Sequence, residues 1–394
     1  MTLLKQNIII VGGGAIGCSI AFFLKSDPAF TGEVTVVERD PTYARASSAL
    51  SASSIRQQFS TPVNIALSRF GFEFLENAPD ILAVGEDKPA LALHEGGYLV
   101  MAGPNGGDSL KAIHAIQKQQ NAPVVLLNTA ELAEKFPWLN TDGISFGTLG
   151  IAKEGWFDGY GLLQGFRKKA RALGVTFVTD EVIGFQNSGD AINAVKLKSG
   201  DTLACDVVVN ACGPWAGKLG ELLGVDIPVR ARKRNVFVFT CKNPPQNMPL
   251  LGDPSGFWVR HEGDRFICGT TPKHGEPDPD DLPLEVDYQQ FEDVLWPALA
   301  QRVPAFENIR QTGAWAGYYE VNPVDHNGLV GRHPSRSNLY LACGFSGHGL
   351  QHSPGIGRGM AELLVHGAYS SIDLTPLSYD RIERGQPMQE INVI

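Results

Sequence analysis

Three glycines and one acid near the start of the chain carry its strongest chemical signal. Gly12, Gly14 and Gly17 are followed, 21 residues after the last of them, by Glu38. Gly12 permits a tight turn, Gly14 lets a diphosphate approach the backbone, and Gly17 lets a helix pack closely on a strand. Ala15 and Ile16 open that helix, whose unpaired N–H groups and dipole favour an anion. Glu38 is placed to accept hydrogen bonds from a ribose diol. A lone GxGxxG is weak; with its strand, helix and terminal acid it reads as a site for an ADP-containing cofactor.

The elements that must position these groups follow from the pattern. Lys5–Val11 and Glu33–Glu38 read as buried strands around a helix over Ala15–Lys25. The arrangement returns twice. Asp206–Asn210 runs into Ala211-Cys-Gly213-Pro-Trp215 and a helix to about Leu223, and Asn338–Cys343 runs into Gly344-Phe345-Ser346-Gly347-His348-Gly349 and a last helix. Ser353 and Pro354 suit the first turn of that helix, and Gly367 its end. Strands alternating with helices predict a mostly parallel, Rossmann-like sheet covered on both faces. Phe177–Phe185, Ala194–Lys198 and Thr202–Leu203 read as antiparallel additions beside it.

Residues 81–154 and 226–319 have a different grammar, with strands at 97–101, Val236–Phe239, Phe257–Arg260 and Arg265–Cys268 and a helix over Leu110–Gln120. They predict a second, antiparallel-sheet α+β substrate domain built from two insertions. Residues 1–80, 155–225 and 320–394 would then form the cofactor domain. Pro277–Pro283 reads as an exposed loop.

Composition narrows the function classes. The 394 residues are too many for one simple core, and 43% hydrophobic with 19% charged residues is ordinary for a globular enzyme. A formal charge of −9 argues against nucleic acid or an anionic membrane as main partner. No apolar run approaches the ~20 residues that span a bilayer. The apolar stretch after Lys5 is the cofactor strand, not a secretion signal. The six cysteines form no CxxC pair, which points to reduced thiols in a cytoplasmic protein. His348 and His352, four apart, have no acid or third histidine beside them, so no metal site is expected.

The recurring polar turns favour FAD over NAD, because a long buried cofactor needs lining at several strand ends. The loop Ala44–Ser54 offers small side chains, hydroxyls and amides where a flavin ring would meet the pyrophosphate; its alternative is a flexible serine linker. Gly344–Gly349 presents amides ahead of a helix, whose partial positive charge would stabilise an anionic reduced flavin if it faces the pyrimidine end. Gly355, Gly357 and Gly359 also suit simple close packing.

The glycine fingerprint, the serine-rich loop, Asn210-Ala-Cys-Gly213 and Gly-Phe-Ser-Gly-His-Gly together resemble the D-amino-acid-oxidase superfamily over essentially the whole chain. Ser54–Pro62, Ala316-Gly-Tyr-Tyr-Glu320, Gly344–Gln351 and Pro354-Gly-Ile-Gly-Arg358 resemble most its FAD-dependent oxidoreductase-domain branch, near sarcosine and glycine oxidases. The mitochondrial member of that branch is associated with respiratory complex I assembly. The resemblance implies FAD, a bipartite fold and removal of hydride from a carbon bearing an amine. The cofactor set is then Gly12, Gly14, Ala15, Ile16, Gly17, Glu38, Arg39, Arg45, Ser47, Ser48, Ala52, Ser53, Val182, Ala211, Gly213, Trp215, Gly317, Gly344, Phe345, Ser346, Gly347, His348, Gly349 and Gln351.

Departures from the family pattern shape the rest. No cysteine lies in Trp315–Tyr318, and Ser47 and Ser48 stand where relatives can carry histidines, so non-covalent FAD is expected. Tyr318 replaces an arginine that holds the substrate carboxylate in D-amino-acid and glycine oxidases. Arg56 matches a pocket arginine of sarcosine oxidase, and Gln351 replaces a lysine that helps bind carboxylate. Arg56 thus reads as a carboxylate anchor or as a structural ion pair or flavin contact. Tyr318, Tyr319 and Trp258 are pocket walls or core. Ile267 falls where sarcosine oxidase has its oxygen-activating lysine, with Lys273 an alternative alignment, which favours a dehydrogenase passing electrons to an external carrier, quinone or oxygen.

The reading reached is FAD-dependent oxidation of the C–N bond of an amino acid or N-substituted amino acid, giving an imine that water hydrolyses. Arg56, Tyr318 and Gln351 would form the substrate site, with a small amine or amino acid as partner. The rivals are a flavoprotein assembly factor and a 2-hydroxy-acid dehydrogenase, whose base would be His348 or His274.

Overall fold

The computed structural model describes residues 6–272 and 277–391. Lys5, Lys273 and His274, named above, lie outside them. Among the described residues a six-stranded sheet has the order Leu329–Arg332, Leu339–Cys343, Val207–Asn210, Asn7–Val11, Glu33–Glu38, Thr176–Thr179. All pairings are parallel except that of Leu329–Arg332 with Leu339–Cys343. The first strand carries aliphatic side chains at every position after Asn7, as burial on two faces demands. Ile8 and Ile10 join a core with the helices Ala15–Ser26, Pro62–Ile81, Gly159–Ala172 and Gly349–His366. Ile9 and Val11 join another with Val195, Leu219 and Leu341. Fully burying each such side chain contributes about 1.5–3 kcal/mol.

Two readings of the sequence change here. Thr176–Thr179 pairs parallel with Thr35–Glu38 as the sheet edge, and only Val182–Ser188 turns into the antiparallel group with Ala191–Leu197 and Thr202–Ala204. The last helix begins at Gly349, so Ser353 and Pro354 lie inside it rather than in its first turn. Proline has no N–H for the carbonyl four residues back. Here Ser353 Oγ donates to that carbonyl, Leu350 O, at 2.8 Å, leaving the helix continuous. Its end is as expected, with Gly367 left-handed at φ 75°. Gly355, Gly357 and Gly359 all lie within it, and a Cβ at Gly357 would sit 2.0 Å from Ser19 Oγ.

Strands from residues 98–150 and 230–321 form one further sheet. Among the described residues it has eight strands, ordered Ile309–Val321, Arg230–Cys241, Arg265–Thr270, Phe257–Glu262, Leu250–Gly252, Tyr98–Ala102, Phe146–Gly150 and Val124–Asn128. All pairs are antiparallel except Leu250–Gly252 with Tyr98–Ala102. Phe237, Phe239, Phe266 and Phe306 pack on one side, with Phe239 stacked on Phe266 at 5.2 Å. Val236, Trp258 and Ile267 form a second apolar cluster with Tyr98 and Leu250.

Candidate active site and cofactor cleft

Two connected clefts run from the parallel sheet to the antiparallel one. The larger, about 1970 Å³ measured to its open mouth, is lined by Gly12, Gly14, Ala15, Ile16, Glu38, Arg39, Arg45, Val182, Ala211, Gly213 and Trp215. The smaller, about 810 Å³ on the same open-mouthed measure, is lined by Ala52, Trp258, Gly317, Tyr318, Tyr319, Gly347 and Gly349. Ala15, Ile16, Ser47, Ser48 and Glu320 border both, so a long ligand can pass between them.

The glycine turn is built for an anion. Gly12 has φ 99°, and a Cβ there would lie 2.3 Å from Ala211 O. Gly17 lies behind the cleft, where a Cβ would lie 2.0 Å from Gly12 O. No side chain caps the helix start at Gly14. Gly14, Ala15 and Ile16 line the cleft, so an uncapped helix start of the kind that can meet an anion lies on it; Ala15 N donates to Ser48 Oγ at 3.1 Å. Arg39 lies over the Trp215 ring at 3.9 Å, beside Glu38, giving the cleft a flat cationic wall.

The serine-rich loop is held in place rather than acting as a free linker. Ser47–Leu50 is a short helix, and Ser47 Oγ donates to Tyr318 O at 2.6 Å. Trp315 Nε1 donates to Leu50 O at 2.8 Å, and Arg260 Nε to Ala52 O at 3.2 Å. These bonds, with a second from Arg260 Nη2 to Ala52 O, tie this loop to the antiparallel sheet. At the far wall, Gly347 and Gly349 bring the start of the last helix to the smaller cleft, and no side chain caps it. Its dipole directs partial positive charge there.

Other assigned residues lie behind these walls. Phe345, Ser346 and His348 are buried, and none lines either cleft. Gly344 N donates to Glu320 Oε2 at 2.9 Å, and Ser346 Oγ accepts from Asn322 N at 3.0 Å. Ser53, with φ 54°, is likewise outside the clefts. His348 meets Phe59 edge to face at 4.8 Å, with His352 on the same ring at 5.2 Å. Burial and the nearby Arg56 charge hold His348 well below the usual imidazole range and His352 down at about 3.

Arg56 and Gln351 are brought together, but away from the cavity wall. Gln351 Oε1 accepts from Arg56 N at 2.9 Å. The Arg56 guanidinium packs over Phe59 at 4.0 Å and donates to Gln58 O. Beneath it, Glu154 accepts from Gln57 N at 2.5 Å and from Gln58 Nε2 at 2.8 Å. Burial pushes the Glu154 carboxyl up to about 7. Tyr318 does line the cavity, and its hydroxyl donates to Leu282 O at 2.6 Å.

Wall residues that sequence reasoning missed include Arg234, Asn235, Thr270, Thr271 and Glu320. Glu320 is buried, with its carboxyl raised to about 7 by desolvation. The alternation Arg230, Arg232, Arg234 within an apolar strand was the available signal for the first.

An open glycine turn, an acid beside it, a long cleft and two uncapped helix starts define a dinucleotide-dependent oxidoreductase, and these residues fit FAD. The chain belongs to the DAO family of FAD-dependent oxidoreductases, which matches residues 7–363. It is 42% identical to FAD-dependent oxidoreductase domain-containing protein 1 of Bos taurus, over 98% of this chain and 86% of that protein. It is 24% identical to mitochondrial sarcosine dehydrogenase of Mus musculus, over 92% of this chain and 40% of that protein. Among solved structures, L-proline dehydrogenase from P. horikoshii superposes with a TM-score of 0.83 at 25% identity, covering 98% of this chain and 99% of that one. Glycine oxidase from Geobacillus kaustophilus gives 0.79 at 23%, covering 95% and 98%. Among the described residues no helix is long and apolar enough to cross a membrane.

Proposed function

We propose that the chain oxidises the C–N bond of an amino acid or N-substituted amino acid, yielding an imine that hydrolyses in water. The observation that carries this reading is the small chamber at the end of the cofactor cleft, walled by Trp258, Tyr318 and Tyr319 and facing the start of the last helix. Bound FAD supplies the acceptor for the hydride. The aromatic walls exclude water and orient the substrate carbon. A neutral amine needs no base to lose hydride, in keeping with a wall that contains no histidine among the described residues. A hydroxy acid would need one; the His348 ring packs on Phe59 instead, His274 lies outside the described residues, and the wall carboxyl Glu320 is engaged by Gly344 N. The names of relatives point the same way, including sarcosine dehydrogenase and dimethylglycine dehydrogenase.

Electron transfer to an external carrier or quinone, rather than to oxygen, is favoured by the apolar Ile267, buried among Val236 and Trp258 at the position where the family resemblance puts an oxygen-activating lysine. The six free thiols suit a reducing compartment and support a cytoplasmic reading. Anaerobic mixing of the yellow protein with amino acids, N-methyl and N-carboxyalkyl amino acids and hydroxy acids tests the reading. Bleaching of the flavin band by amines supports it, and bleaching by hydroxy acids alone overturns it. Slow reoxidation in air, with rapid turnover by a quinone, is the expected acceptor result.

A further inference from the structure

The guanidinium on the chamber wall is not Arg56 but Arg234, on the long strand Arg230–Cys241. Arg234 pairs across the sheet with Gly317, against which Leu50 packs, its Cβ 3.0 Å from where a Gly317 Cβ would stand. Both Arg234 terminal nitrogens donate to Asp278, Nη1 to Oδ1 and Nη2 to Oδ2, each at 2.8 Å. Its Nε is buried and has no hydrogen-bond partner among the described residues. The Asp278 carboxylate is therefore bound as a substrate carboxylate would be, end-on to a planar fork.

The segment that carries Asp278 is pinned across the strand. Arg232 lies 2.8 Å from the Asp280 carboxylate, Lys218 lies 3.0 Å from that of Asp281, and Tyr318 donates to Leu282 O. Pro277–Pro283 is largely exposed, as its composition predicts, yet it is fastened at these points over the chamber wall. The Lys218–Asp281 pair is exposed and weak, and Asp280 is partly exposed beside Arg232, so the segment is lightly held there. The Arg234–Asp278 pair is bidentate and largely buried, so an incoming carboxylate must replace both of its bonds.

We propose that Arg234 is the carboxylate-recognition residue of the chamber and that Asp278 is its internal occupant, displaced when a carboxylate substrate enters. This rests on the amino-acid reading above, and it makes the substrate an anion at that end. Arg234 has one fork, and Asp278 and an incoming carboxylate compete for it.

The test is titration of the FAD-loaded protein with acetate and with acetamide as the neutral control, followed by calorimetry and by the flavin difference spectrum. Asp278→Asn is expected to bind acetate at least tenfold more tightly than the parent, with acetamide unchanged. Arg234→Met is expected to lose the preference for acetate over acetamide, and Arg234→Lys to keep part of it. Tyr318→Phe, which frees Leu282 O, is expected to tighten acetate binding by a smaller factor. Weaker or unchanged acetate binding in Asp278→Asn overturns the proposal, because Asp278 would then support Arg234 rather than compete for it. If no amine bleaches the flavin yet Asp278→Asn still tightens acetate, the functional reading fails and this inference stands. If amines reduce Arg234→Met as well as the parent, the inference fails and the functional reading stands.

Discussion

The amide of Gly13 donates to Oε2 of Glu38 at 2.8 Å, so the acid that ends the second strand is held by the glycine turn it faces. Its other oxygen accepts from Asp40 N at 2.9 Å. A carboxylate fixed at both oxygens presents its remaining lone pairs to the cleft without reorganising. Glu38→Ala is therefore expected to weaken FAD binding about ten- to a hundredfold, on the basis of about 1.5–3 kcal/mol for a charge-assisted bond. Fluorescence titration of the stripped protein with FAD measures this; unchanged affinity would remove Glu38 from the diol role.

Gly12 and Gly174 separate backbone strain from collision. Both have positive φ, 99° and 90°, but a Cβ at Gly12 meets Ala211 O at 2.3 Å while one at Gly174 meets nothing within 4 Å. Gly174→Ala is expected to cost about 1–2 kcal/mol and to keep the flavin. Gly12→Ala is expected to lose the flavin, since the turn and the end of the neighbouring strand Val207–Asn210 cannot both hold their places. Urea unfolding curves and the flavin-to-protein absorbance ratio check the two results together.

Glu154 gives a pH dependence with a definite sign. Its carboxyl is raised from the ordinary 4.5 to about 7 by burial. Between those values the folded protein keeps a proton that the unfolded chain has released. The group's stabilising contribution is therefore complete below about pH 4.5, falls as pH rises, and is gone above about 7. The full span is on the order of a few kcal/mol. Glu154→Gln should flatten the fall in Tm between pH 5 and 7.5, with Glu320 leaving a residual slope. An identical slope in parent and variant would mean that Glu154 is ionised in the folded protein throughout.

The flavin should be held without a covalent bond. No cysteine or histidine lines the smaller cleft among the described residues, and Cys212 lines the larger cleft beside Ala211 and Gly213, near the glycine turn. Acid precipitation is expected to leave a colourless pellet and a yellow supernatant. A yellow pellet would contradict this.

The glycine turn, Glu38 and the helix end at Gly367 were legible because each depends on residues within one or two elements. Pro354 misled because a proline ordinarily marks a first turn, and the Ser353 hydroxyl that satisfies Leu350 O leaves no trace in spacing. Thr176–Thr179 misled because nothing local distinguishes a parallel edge strand from the antiparallel run that follows it.

By itself the sequence determined the cofactor class and the local frame that marks it: Gly12, Gly14 and Gly17 between an apolar strand and a helix, with Glu38 ending the next strand. Those constraints are short-range, so they survive in spacing. Which arginine meets the chamber was decided only by tertiary structure. Arg56 and Arg234 carry the same charge, but Phe59 and Gln351 draw the first into a buried cluster, while strand pairing opposite Gly317 sets the second on the wall. Side-chain direction depends on partners remote in sequence, and that is information a linear pattern does not hold.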